Sequence, residues 1–187
     1  MIWKRVQPVI DKSVRKLCTT PYGEYKMKNG KIKFTHPHGC PNFGKRSSCP
    51  PKAPLLEDIF DLSKKIFVIW NAYSLRKHVD KLRARHPNWS DRQLYCCLYW
   101  QGQARKQLRK NIARFLKVNP GYLVIQCPEA CGINVTETMA AIGIQLEWPP
   151  IEIAYQIALA GESKKIQRLK DKGYMGRNTP IERVTFV

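Results

Sequence analysis

Between His36 and Pro54 the chain places five prolines and two glycines in nineteen residues. Each proline fixes φ and removes a backbone donor, so this stretch is excluded from helix and strand alike and reads as a loop that something else must hold. It contains Gly39-Cys40-Pro41-Asn42-Phe43-Gly44-Lys45-Arg46-Ser47-Ser48-Cys49-Pro50-Pro51. A second loop of similar type, Cys127-Pro128-Glu129-Ala130-Cys131-Gly132, lies far downstream. Three of the seven cysteines precede proline, a pairing that recurs at the rim of iron–sulfur clusters. The N-terminus lacks the apolar segment of a secretory leader, which makes the cytoplasm the expected compartment. Disulfides are disfavoured there, and an odd number of cysteines cannot all pair. Metal ligation is therefore the leading reading for Cys18, Cys40, Cys49, Cys127 and Cys131. A soft set of thiolates selects a [4Fe–4S] cluster first and zinc second, because the paired Cys-x2-Cys knuckles of zinc ribbons are absent. His36 and His38 are candidate nitrogen ligands, whereas Cys96 and Cys97 read as core fillers.

The remaining pattern describes a single α/β domain over residues 1–187, with the metal-binding loop at 36–54 and a basic tail at 163–187. Residues 3 to 17 read as a basic amphipathic helix, with Val6, Val9, Ile10, Val14 and Leu17 at helical spacing and Lys4, Arg5, Lys12, Arg15 and Lys16 between them. An Asn29-Gly30 between Tyr25-Lys26-Met27 and Lys31-Ile32-Lys33-Phe34 predicts a hairpin. A helix is expected over Leu55–Lys64 and a buried strand over Lys65–Trp70. From Ser90 to Lys117 the spacing predicts one long helix opened by a Ser90…Gln93 capping box, with Leu94, Cys97, Leu98, Ala104, Leu108, Ile112 and Phe115 facing the core. Tyr122–Gln126 and Ile144–Leu146 read as strands, and Asn134…Glu137 caps a short helix between them. Ile153–Ala160 fits helix or strand. Strands separated by helices predict a small, mostly parallel sheet flanked by helices.

The spacing Cys40-x8-Cys49-Pro50-Pro51 with an internal Phe43-Gly44-Lys45, followed by Glu129-Ala130-x-Gly132-x-x-Val135 and then Gly143, resembles a family of predicted metal-binding proteins, domain of unknown function 2284. The likeness covers Gly39–Pro54 well and Leu123–Gly143 moderately. It implies a cysteine-bound metal, an iron–sulfur cluster, in an α/β domain. Thr35 stands where the family has a further cysteine, so the resemblance implies a single cluster.

Thirty-three Lys and Arg against fourteen Asp and Glu leave a formal charge of +19, well beyond the roughly 2 to 8 units typical of a small soluble domain. A polyanionic partner is expected. Between Asp91 and Glu129 there is no acid, and Arg105, Lys106, Arg109, Lys110, Arg114 and Lys117 form a cationic stripe across the long helix. Lys77, Lys81, Arg83 and Arg85, Lys45 and Arg46, and Lys164, Lys165 and Arg168 add to it. No apolar run approaches the ~20 residues of a membrane span, and the tail lacks bulky apolar surface for insertion. Nucleic acid is favoured over membrane, and structured RNA (tRNA or rRNA) over DNA, since no DNA-reading motif is present. Tyr22, Tyr25, Phe43, Trp89 and Tyr174 are candidates for stacking on bases. In an RNA-modifying enzyme, Glu129 would carry the proton. The alternatives are a non-catalytic zinc-stabilised RNA- or ribosome-associated protein and an electron-transfer protein docking on an acidic partner. Walker, Gly-x-Gly-x-x-Gly, Gly-x-Ser-x-Gly and His-Glu-x-x-His motifs are absent.

Overall fold

A computed structural model describes residues 2–18, 25–27, 30–32 and 43–164. Four strands form one sheet: β1 (Trp3–Val6), β4 (Ile66–Ser74), β5 (Leu123–Ile125) and β6 (Ile153–Gly161). A separate two-stranded hairpin pairs β2 (Tyr25–Met27) with β3 (Gly30–Ile32), as expected, but Gly30 pairs with Met27 in the ladder instead of forming the turn with Asn29. The helices are α1 (Leu56–Ile59), α2 (Leu75–Arg85), α3 (Asp91–Leu94), α4 (Cys97–Val118) and α5 (Val135–Ala140), with 3-10 helices at Lys12–Cys18 and Pro128–Cys131.

The sheet runs β1-β4-β6-β5, and every pairing in it is antiparallel. The expected parallel sheet is thus overturned. β4 and β5 do point the same way, since each is antiparallel to β6, but β6 lies between them and takes the hydrogen bonds that a parallel pair would have shared. Ile153–Gly161, ambiguous in the sequence, is this central strand. Ile144–Leu146 forms no strand.

Alternation along β4 sends its residues to two cores, as a period-2 strand requires. Ile66 and Val68 join Val6, Leu56, Phe60, Ile125, Ile133, Met139 and Leu159 on one face. Ile69, with Phe67 beside it, joins Leu108, Ile112, Phe115, Ala158 and Ala160 on the other, beneath α4. Small Ala158 and Ala160 let α4 lie close to the sheet. Asn111 adds a fixed point, donating from Nδ2 to the carbonyl of Trp70 at 2.9 Å. Beyond the sheet's end, Tyr73, Leu75, Val79, Leu94, Trp100 and Ala104 form a third cluster among α2, α3 and α4.

Three local expectations are corrected. The N-terminal segment is a strand and a 3-10 helix rather than one amphipathic helix, because Pro8 supplies no helical donor. The long helix begins at Cys97, since Ser90 and Gln93 box only α3: Ser90 N donates to Gln93 Oε1 at 2.9 Å and the chain turns at Tyr95. In the new register Cys97 is exposed and Leu98 retains 85% of its surface, so neither belongs to the core stripe. The helix expected over Leu55–Lys64 shortens to α1, after which Phe60 bridges to Ser163.

Gly161, at the end of β6, is required for close approach. A Cβ there would lie 2.6, 2.7 and 3.0 Å from ring carbons of the fully buried Phe60. Gly161→Ala is expected to cost about 1–3 kcal/mol of stability by overpacking, measured by urea denaturation. Adding Phe60→Leu should recover part of that stability, and an unchanged midpoint for Gly161→Ala would show that the ring and the strand are not this close.

Candidate functional site

Elements far apart in sequence meet where the N-terminal 3-10 helix docks on the one at Pro128–Cys131. Ile10 bridges to Ile133, Asp11 N donates to Gly132 O at 2.9 Å, and Asn134 N donates to Val9 O at 2.9 Å. Val9 N is held in turn by Thr138 Oγ1 at 3.0 Å. Gly132 has φ +83°, a conformation that L side chains rarely adopt, and Lys12 Cα lies 3.5 Å from where a Cβ would stand. Glycine at this place in the Glu129-Ala130-x-Gly132 motif thus serves the docking. Lys12 Nζ also pairs with Glu57 Oε1 at 2.6 Å, which ties the assembly to α1.

Arg15 brings in the third segment. Its Nη2 donates to the carbonyls of Ala53 at 2.8 Å and Pro51 at 3.2 Å, just after Cys49. The described part of the proline-rich loop, from Phe43, also closes on itself. Gly44 N donates to Pro50 O at 2.8 Å and Ala53 N to Cys49 O at 2.9 Å, so backbone bonds supply part of the support the sequence demanded. In the sequence Arg15 was one cation among many, and nothing in its spacing pointed to this role.

The thiols differ in environment. Cys131 is buried in the core, and burial, with Cys127 beside it, pushes its thiol up to about 11, although Arg15 opposes the shift. Cys127 is exposed and Cys49 half-buried. Cys18 ends the N-terminal 3-10 helix, while Cys40, His36 and His38 lie outside the described residues. Among the described residues no three His, Cys, Asp or Glu side chains are gathered so as to hold a metal ion. The expectation of a metal-binding loop evident in the fold is corrected accordingly. In kind, the donors suit a thiophilic metal. In number, the described ones fall short of a set.

Glu129 is exposed as a residue, while desolvation of its carboxyl raises it above the ordinary range. It does not cap the following helix. That is done by Asn134, whose side chain accepts from Glu137 N at 3.2 Å, as its sequence position suggests.

Arg105, Lys106, Arg109, Lys110, Arg114 and Lys117 are all exposed on α4, opposite Ala104, Leu108, Ile112 and Phe115. Ion pairs among the described residues join Lys12 to Glu57, Arg76 to Glu152 and Arg83 to Asp91, and none of these lies on α4. Lys45 and Arg46 are exposed beside Cys49, Lys164 is half-buried, and Lys165 and Arg168 fall outside the described residues. Near the start of α4, Trp89 stacks on His86 with ring centroids 4.0 Å apart and approaches the exposed Tyr99 at 5.2 Å. Phe43 is also exposed; Tyr22 and Tyr174 lie outside the described residues.

No family model, curated protein or solved structure matches this chain. Its functional reading therefore rests on its own residues. No helix among the described residues is long and apolar enough to cross a membrane.

Proposed function

We propose that this chain is a cysteine-ligated metal protein, with an iron–sulfur cluster as its metal group, that binds structured RNA. The observation that carries the metal half is that the N-terminal 3-10 helix, which ends in Cys18, docks on Pro128–Cys131 and through Arg15 also holds the carbonyls of Pro51 and Ala53, just after Cys49. Cys49, Cys127 and Cys131, joined by Cys18 and Cys40, are the ligand candidates, and the likeness to the predicted metal-binding family belongs to the same proposal. When bound, the cluster would neutralise thiolates and fasten loops too rich in proline to order themselves. Coordination would release the Cys131 proton to solvent, and the metal's positive charge would offset the penalty that burial places on its thiolate.

The RNA half is supported by the six exposed cations of α4, which no described acid neutralises. A solvated helix face normally carries both signs. Phosphate contact explains the single sign, and the exposed Tyr99, beside the half-buried Trp89, would offer a ring for an unpaired base.

Anaerobic purification of the full chain, with absorbance near 400 nm and iron, sulfide and zinc analysis, tests the metal assignment. The expected product is brown, with iron and sulfide in equal amounts. A colourless protein loaded with stoichiometric zinc would replace the cluster with a structural metal, and a product free of both would end the proposal.

A further inference from the structure

α4 runs for 22 residues, and its exposed side departs at one place from what a helix prefers. Gly102 stands in the second turn, where only proline would be less favourable. Nothing within the chain asks for it. The glycine is exposed, its φ lies outside the left-handed region, and a Cβ added there would meet no atom within 4 Å. Ala113, about three turns further along the same side, shows that the exposed helix takes a methyl elsewhere.

On a helix surface the neighbours of a residue are those three and four places away. One turn before Gly102 stand the almost wholly exposed Leu98 and the exposed Tyr99. One turn after it stand Arg105 and Lys106, both exposed and in no ion pair among the described residues. Helical side chains lean toward the N-terminus. Arg105 and Lys106 thus lean toward the turn that Gly102 leaves bare, while Leu98 and Tyr99 tilt away from it. The result is a strip of open backbone with an aromatic ring at one end and two cations at the other. Its two ends match the two parts of a nucleotide, a base that stacks on a ring and a phosphate that meets a cation. An apolar protein surface would satisfy the ring and leave both cations without counter-charge.

We propose that Gly102 is the point of closest approach for RNA, where an unpaired nucleotide lies across α4 with its base on Tyr99, its sugar over Gly102 and its phosphate on Arg105 and Lys106. The inference rests on the RNA reading above and names its partner class, a duplex interrupted by an unpaired base. Close approach of the sugar to the helix backbone accounts for a glycine that the helix itself does not need.

Filter binding of the full chain to two RNA hairpins, one fully paired and one carrying a single bulged nucleotide, tests this. The bulged hairpin should bind about tenfold tighter, the scale of one base stacked on an aromatic ring. Tyr99→Ala should erase that preference, and Tyr99→Phe should keep it. Gly102→Leu should weaken the bulged hairpin by about tenfold or more, yet raise the urea midpoint, because leucine is the better helix former in open space. Ala113→Leu, the same kind of bulk on the same helix, should leave affinity nearly unchanged. Equal binding of the two hairpins, undiminished binding by Gly102→Leu, or an equal loss with Ala113→Leu would overturn the proposal and leave the RNA reading standing. A lowered urea midpoint for Gly102→Leu would overturn it too, by showing that the space is taken within the chain. Dimerisation that Gly102→Leu abolishes without changing RNA affinity would assign the strip to a second copy instead. Binding of neither hairpin would end both readings.

Discussion

Phe115→Ala is expected to lower the unfolding free energy by about 3 to 5 kcal/mol, the range for emptying a buried aromatic site. Phe115 is fully buried where α4 meets the sheet. Its ring meets Trp3, Phe67 and Tyr122 at centroid distances of 5.7, 5.4 and 5.6 Å, with the Trp3 and Tyr122 contacts edge-on. Such edge contacts add roughly 0.5–1.5 kcal/mol beyond the area they bury. Removing the ring therefore loosens β1, β4 and the approach to β5 together. Leu98→Ala on the same helix is the matched control: at 85% exposure it should change stability by no more than about 0.5 kcal/mol. Urea denaturation of both variants reads the two midpoints. A reversed order would mean that α4 packs in the register in which Cys97 and Leu98 face the core.

The second large effect concerns the cations on the opposite side of that helix. Changing Arg105, Lys106, Arg109 and Lys110 together to glutamine should weaken binding of a structured RNA on the order of 100-fold at low salt. It should also flatten the dependence of log K on log salt by about 3, close to one unit for each phosphate that is no longer neutralised. Stability should hardly change, because these side chains are exposed and take part in no ion pair among the described residues. Filter binding across a salt series measures affinity and slope together. Weaker binding with an unchanged slope would mean that the stripe acts through something other than phosphate.

How much of this the sequence revealed depends on whether the signal was local. The apolar run Ile66–Trp70, the Asn134 cap and the Ala104-Leu108-Ile112-Phe115 stripe are local patterns, and each stands where its spacing placed it. Strand direction is not local. β4 is covered on both faces, by Leu56, Phe60 and Met139 on one side and α4 on the other, so it reads as the continuous apolar run usually associated with parallel strands. Nothing in that run records that β6, far along the chain, would pair between β4 and β5. Val6, Val9 and Ile10 matched a helical period by coincidence, and Pro8 was the signal that outweighed it.

The candidate sites show the same division. The cysteine loops were visible as proline-flanked motifs, but the tie between the N-terminal 3-10 helix and the loop after Cys49 depends on Arg15 reaching two backbone carbonyls that lie 36 and 38 positions further along the chain. The open strip at Gly102 was hidden by the register expected for the long helix, which turned Leu98 toward the core, whereas the fold leaves it exposed.

X-ray absorption at the metal edge of the full chain, purified without oxygen, tests the proposed convergence of the thiols most directly. A shell of sulfur scatterers at about 2.3 Å, reduced in amplitude by Cys49→Ser and by Cys131→Ala alike, is the predicted result. A nitrogen- and oxygen-only shell, or a sulfur shell indifferent to both substitutions, would contradict it.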